Sequence, residues 1–182
     1  MLTLQTSLKI IRHKMVKVLF IDDNYIYQNY PLPSRFDKSA LLSIIVMEQA
    51  TSIQDLLGTT LYEELEQGVY DEVLTESQLG LFKLVKYSLC LYSVKSSAML
   101  LRTAIAKTKS EEKSLDSMSI DSIVSTIDSK IEYINKRIVN YIKADALLLA
   151  KAQESSNDLF VEDDTYNSSV YYPSIRLDGT CE

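Results

Sequence analysis

IDSKIEYINKRIVNYIKADALLLAKA, residues 127–152, is the stretch that decides the fold. Ile127, Ile131, Ile134, Ile138, Tyr141, Asp145, Leu148 and Ala152 advance by alternating steps of four and three, so they stack along one side of an α-helix. Asp145 is the one acidic interruption of that seam. So long an apolar seam must be covered. An antiparallel helix of the same subunit is the expected cover, with a coiled coil between molecules as the alternative.

The covering helix is found just upstream. Thr75 and Gln78 form a Thr-x-x-Gln capping box that opens a helix toward Lys107, about 45 Å long at 1.5 Å per residue. Leu79, Phe82, Val85, Leu89, Tyr92, Ser96 and Met99 form its expected stripe, and Ser96, Ser97 and Ala98 suit a close helix crossing. Residues 108–119 are polar and Ser-rich, a loop or frayed end between the two long helices. Further upstream, Ser34 and Asp37 suit a helix start, and Phe36, Ala40, Leu41, Ile44, Met47, Thr51 and Leu56 fit one face of a helix over 35–57. Gly58 stands where that helix would end. Thr60 and Glu63 suggest a second capping box for a short helix closed by Gly68.

Outside this block the period is lost. Residues 1–33 read as an arm with some extended structure: Val16, Val18 and Phe20 alternate, Asp22-Asp23-Asn24 signals a turn, and Tyr25, Tyr27 and Tyr30 precede Pro31-Leu32-Pro33. Residues 154–182 read as an acidic tail, yet it carries Phe160, Tyr166, Tyr171 and Tyr172, which suit docking onto a neighbour or partner, with simple disorder as the alternative. The expected organisation is therefore an N-terminal arm (1–33), a helical domain (34–153) and an extended acidic tail (154–182). The fold class is all-α, a small helical bundle with two long antiparallel helices.

Composition supports helices and narrows the chemistry. The 182 residues include only 4 Gly and 3 Pro, far below the roughly 12% of average usage, which disfavours turn-rich β architectures. The single His, His13, and the two cysteines, Cys90 and Cys181, offer no Cys/His metal-ligand spacing and no disulfide framework. Gly58, Gly68, Gly80 and Gly179 are scattered, so no phosphate-binding loop can be assembled from them. Lys17-Val18-Leu19-Phe20-Ile21-Asp22-Asp23-Asn24 is similar to the first strand of response-regulator receivers, but the helical pattern downstream leaves no strands for the rest of such a site. No apolar run approaches the ~18 residues of a membrane span, and nothing marks export; a reducing cytoplasm is the expected setting. No catalytic residues, metal or cofactor are expected.

Charge is segregated along the chain. The net charge is −6, and residues 154–182 hold seven acids against Arg176 alone. Residues 39–82 hold eight acids and no base, with Glu63, Glu64, Glu66, Asp71 and Glu72 clustered in and just after the short helix. Residues 83–110 hold six bases and no acid, among them Lys83, Lys86, Lys95 and Arg102. Either the two blocks neutralise each other inside one subunit, or the acidic face of one subunit meets the basic face of the next.

Tyr25-Ile26, Asn29-Tyr30-Pro31-Leu32, the helix with Ile44, Ala50 and Ile53, and then Leu56-Leu57-Gly58-Thr59-Thr60-Leu61-Tyr62-Glu63-Glu64-Leu65 resemble helical head–tail connector (adaptor) proteins of tailed bacteriophages, nearest to ring-forming neck proteins of crAss-like Bacteroides phages. The Leu-Gly-x-x-Leu-Tyr corner at Gly58, Leu61 and Tyr62 is its strongest part, and the resemblance reaches to about Arg102. It implies a non-enzymatic virion protein assembled in the host cytoplasm. Its copies, twelve by the resemblance, would form a ring between portal protein and tail, extending the DNA channel and docking the next neck or tail ring protein. DNA would pass without specific binding, which suits a subunit of pI ≈ 4.9. A cellular helical adaptor or regulator, binding a partner through the heptad helix, is the alternative.

Overall fold

The computed structural model describes residues 18–30, 38–106, 113–155 and 159–160. In order, the elements are α1 (Asp23–Asn29), α2 (Lys38–Glu48), a π-helical turn (Gln49–Ile53), α3 (Gln54–Leu57), α4 (Thr59–Tyr70), α5 (Glu76–Ala106), α6 (Lys113–Ala144) and α7 (Ala146–Gln153). No strand occurs among the described residues. The fold is all-α.

α5 and α6 are the axis of the bundle and run antiparallel, because their partners pair in opposite chain order. Ser77 meets Tyr141, Ser88 and Tyr92 meet Asn135, Lys95 meets Asp128, and Arg102 meets Asp121. The heptad seam faces inward: Ile127, Ile131, Ile134 and Ile138 are buried, and so is Ile142. The Thr75–Gln78 capping box forms in both directions, with Gln78 N donating to Thr75 Oγ1 at 3.2 Å and Thr75 N donating to Gln78 Oε1 at 3.0 Å. The stripe expected on α5 is only partly right. Val85 and Leu89 are buried but Leu79 and Met99 are exposed, while Leu81, Leu91, Val94, Ser93 and Ser97 are inside. A helix covered by α2 on one flank and α6 on another is buried over more than one stripe.

Leu41, Ile45, Gln49, Ile53 and Leu57 are all buried at four-residue spacing. In a regular helix of 3.6 residues per turn that row would drift around the axis. The wider π turn at Gln49–Ile53 underwinds the helix and brings the row back onto the core. The stretch Ser39–Leu57 has the length and composition of a membrane span. It is nevertheless a packed helix, and its buried Glu48 and Gln49 side chains are held by hydrogen bonds.

Several local expectations are corrected. Asp22-Asp23-Asn24 is a helix start, not a turn: Asp22 Oδ1 accepts from Tyr25 N at 2.8 Å and caps α1, so residues 23–29 of the arm are helical and Ile26 is buried. The Thr60–Glu63 box does not cap α4. Thr60 N instead donates to Ser155 Oγ at 2.8 Å, a cap supplied from the far end of the chain. Gly68 lies inside α4, where a Cβ would come within 2.6 Å of the Leu74 side chain folding back on it. Residues 113–119 are the first turns of α6, not loop. Asp145 leaves the helical conformation (φ −114°, ψ 112°) and caps α7, accepting from Leu147 N and Leu148 N. The tail's first aromatic, Phe160, is 1% exposed and belongs to the core.

Candidate interaction surface

Gly58 adopts φ +78° and ψ 154°, backbone that side chains rarely allow, and a Cβ there would lie 2.8 Å from Ser155 Oγ. The chain can therefore reverse between α3 and α4 without a connecting loop. Leu57, Leu61 and Leu65 are completely buried and Leu56 and Tyr62 nearly so, so the corner motif closes on itself and on the core. Tyr62 lies 5.5 Å from the Phe20 ring, which meets Phe82 edge-on at 5.4 Å. Burial pushes the Tyr62 hydroxyl above its ordinary pKa.

Gln49 fastens the end of the arm to this corner. Its Oε1 accepts from Phe20 N at 2.8 Å, and its Nε2 donates to Val18 O at 2.6 Å and to Tyr62 Oη at 3.1 Å. One side-chain amide thus satisfies the backbone around Phe20 as a neighbouring strand would. Nothing in the local sequence singles out Gln49 except its place in the four-residue row. Beside it the buried Glu48 carboxylate accepts from Ser52 Oγ at 2.6 Å and Ser96 Oγ at 2.5 Å, tying α2 to α5.

The acidic cluster lies on α4 and the turn after it. Glu63, Asp71 and Glu72 are exposed and Glu66 is half-buried. Glu64 Oε1 accepts from Gln78 Nε2 at 3.0 Å, and Lys151 Nζ lies 3.9 Å from Glu64 Oε2. Two members of the basic block pair within the subunit, with acids outside the 39–82 block. Lys95 pairs with Asp128 at 2.6 Å and Arg102 with Asp121 at 3.1 Å, both acids of α6. Lys86 stacks over Tyr25 and Phe82, leaving Lys83 exposed. Two of the four residues expected to form a basic face therefore serve the α5–α6 contact of their own subunit.

The docking aromatics divide in the same way. Tyr25, Tyr27 and Tyr30 pack part-buried against their own core, with Lys130 over the Tyr30 ring. Phe160 is buried, and its carbonyl accepts from Gln153 Nε2 at 2.9 Å. Tyr166, Tyr171 and Tyr172 lie outside the described residues. The heptad seam is used within the subunit, so a partner would have to bind another face. One such face is an apolar groove of ≈ 470 Å³ between Ala40, Ser43, Ile44 and Met47 of α2 and Ser96, Met99, Leu100 and Thr103 of α5.

Among the described residues no three His, Cys, Asp or Glu side chains converge as metal ligands. Burial raises the Cys90 thiol to about 11, so it stays protonated and unreactive at neutral pH. Comparison with protein-family models, curated proteins and solved structures finds no match to this chain.

Proposed function

We propose that the chain is a non-enzymatic structural subunit of a tailed-phage neck, one copy of a ring between portal and tail. The observation that carries this reading is the corner at Gly58, where the residues of the connector resemblance act together. Gly58 supplies the reversal, and Leu56, Leu57, Leu61, Tyr62 and Leu65 form a single buried knot. The neighbouring surface suits assembly, since Glu63 of α4 and Asp71 and Glu72 of the turn after it are exposed. A ring subunit needs two different surfaces that complement each other, and this chain segregates its charges. A net charge of −6 would spare a DNA channel the drag of phosphate binding.

Negative-stain imaging of the purified full-length chain, alone and after co-expression with a tailed-phage portal protein, tests the reading. Annular particles are expected in at least one sample. A chain that stays monomeric in both, without co-purifying portal, overturns it.

A further inference from the structure

The second half of α6 carries an exposed basic surface beyond the ion pairs that join its first half to α5. Residues 129–144 contain four bases, Lys130, Lys136, Arg137 and Lys143, and a single acid, Glu132. All four bases are exposed, and Tyr133 beside them is 64% exposed. Lys130, Tyr133 and Arg137 recur at spacings of three and four, so they line up along one side of the helix, with Lys136 and Lys143 seven apart on an adjacent strip. The Arg137 guanidinium lies 5.9 Å from the centre of the Tyr133 ring, a cation–π contact at the surface. Neither Lys130, Arg137 nor Lys143 is in an ion pair among the described residues. By contrast, the acids of the first half, Asp121 and Asp128, are taken up by Arg102 and Lys95.

The corner at the end of α4 has the opposite character. Residues 59–73 contain Glu63, Glu64, Glu66, Asp71 and Glu72 and no base. Two large side chains stand out among these acids: Tyr70 is 52% exposed and Val73 is 73% exposed. Glu72 holds the turn with φ 56°, so the corner is a projecting knuckle rather than a continuation of the helix. Each surface thus has an apolar or aromatic centre with charge around it, and the two charges are opposite. That is the composition of a specific contact, with aromatic and Arg anchors inside and a charged rim setting register.

We infer that the acidic knuckle of one copy, Glu66, Tyr70, Asp71, Glu72 and Val73, docks on the basic strip of a second copy, Lys130, Tyr133, Lys136, Arg137 and Lys143. Because the two surfaces differ, a pair of copies still presents one knuckle and one strip, and the contact repeats head to tail. The inference deepens the ring reading by naming its interface, and it moves the basic partner from α5 to α6.

Two charge-reversed full-length variants test it: Lys130→Glu with Arg137→Glu, and Glu66→Lys with Asp71→Lys. Circular dichroism checks that each keeps its helicity, and sedimentation velocity reads association at low and high salt. Wild type is expected to self-associate, and each variant alone to do so about tenfold more weakly or worse. An equimolar mixture is expected to recover association, because every contact in an alternating chain of the two variants is again between opposite charges. Recovery only on mixing supports the contact. Wild type that stays monomeric at low salt, or variants that associate like wild type, overturn it. Annular particles unaffected by either reversal would remove this interface while leaving the ring reading in place. Open head-to-tail oligomers that mixing restores, with no annuli and no portal binding, would do the reverse.

Discussion

Gln49 concentrates more of the structure than any other single side chain. Its side-chain amide holds both the Phe20 amide and the Val18 carbonyl, and it also reaches Tyr62. Gln49→Leu keeps the volume but strands two backbone groups, each costing about 1–3 kcal/mol when buried without a partner. We expect a loss of roughly 2–4 kcal/mol in urea unfolding and faster hydrogen exchange at the Phe20 amide. Asp145 makes a second residue-scale prediction, through pH. Hydrogen bonding to Ser77, together with the Leu148 and Leu147 amides, lowers its carboxyl pKa in the folded chain. A lowered folded pKa contributes stability that is complete above the unfolded value, near 3.9, and is lost as pH falls through the folded one. Asp145→Asn, which can still cap α7 but cannot ionise, should therefore be less stable than wild type at pH 7 and approach it as pH falls below about 4, flattening the acid limb of the stability profile. Thermal unfolding across that range reads the difference.

At the scale of elements, the close pairing of α5 and α6 depends on a glycine. A Cβ at Gly80 would collide with the Tyr141 ring, its Cζ at 2.9 Å, while Tyr141 Oη donates to Ser77 O at 3.1 Å. Gly80→Ala gains helix propensity but must push that ring aside, and a net loss of about 1–3 kcal/mol is expected. Combining it with Tyr141→Leu should show coupling of at least about 0.5 kcal/mol in a double-mutant cycle, because the clash disappears with the ring. The Thr75–Gln78 box, the length of α5 and the heptad seam of α6 were legible in the sequence because each is a local pattern of one helix. The start of α6 was not legible: residues 113–119 are rich in Ser, a poor helix former, yet continue the helix. Nor was the π turn, since a row at four-residue spacing looks like a regular helix with a misplaced polar residue.

Across the whole molecule, residues after α7 are joined to the middle of the chain. Ser155 caps α4 by bonding the Thr60 amide, and Phe160 is sealed in the core. Phe160→Ala should therefore destabilise the fold by about 3–5 kcal/mol in chemical unfolding, as a buried aromatic does, although it lies in what reads as tail. The charges follow the same logic. Segregation along the chain was visible, but which cations remain on the surface depends on the antiparallel ladder that couples Lys95 and Arg102 to α6.

The sequence by itself determined the helical class, the inward-facing heptad seam and the reversal at Gly58, because helical period, capping and a Gly-only backbone region act within a few residues of each other. Tertiary structure decided the Gln49 clamp, the Ser155 cap, the burial of Phe160 and the exposed basic strip of α6. Each of these joins groups distant along the chain, and their partners are chosen only when the helices come together.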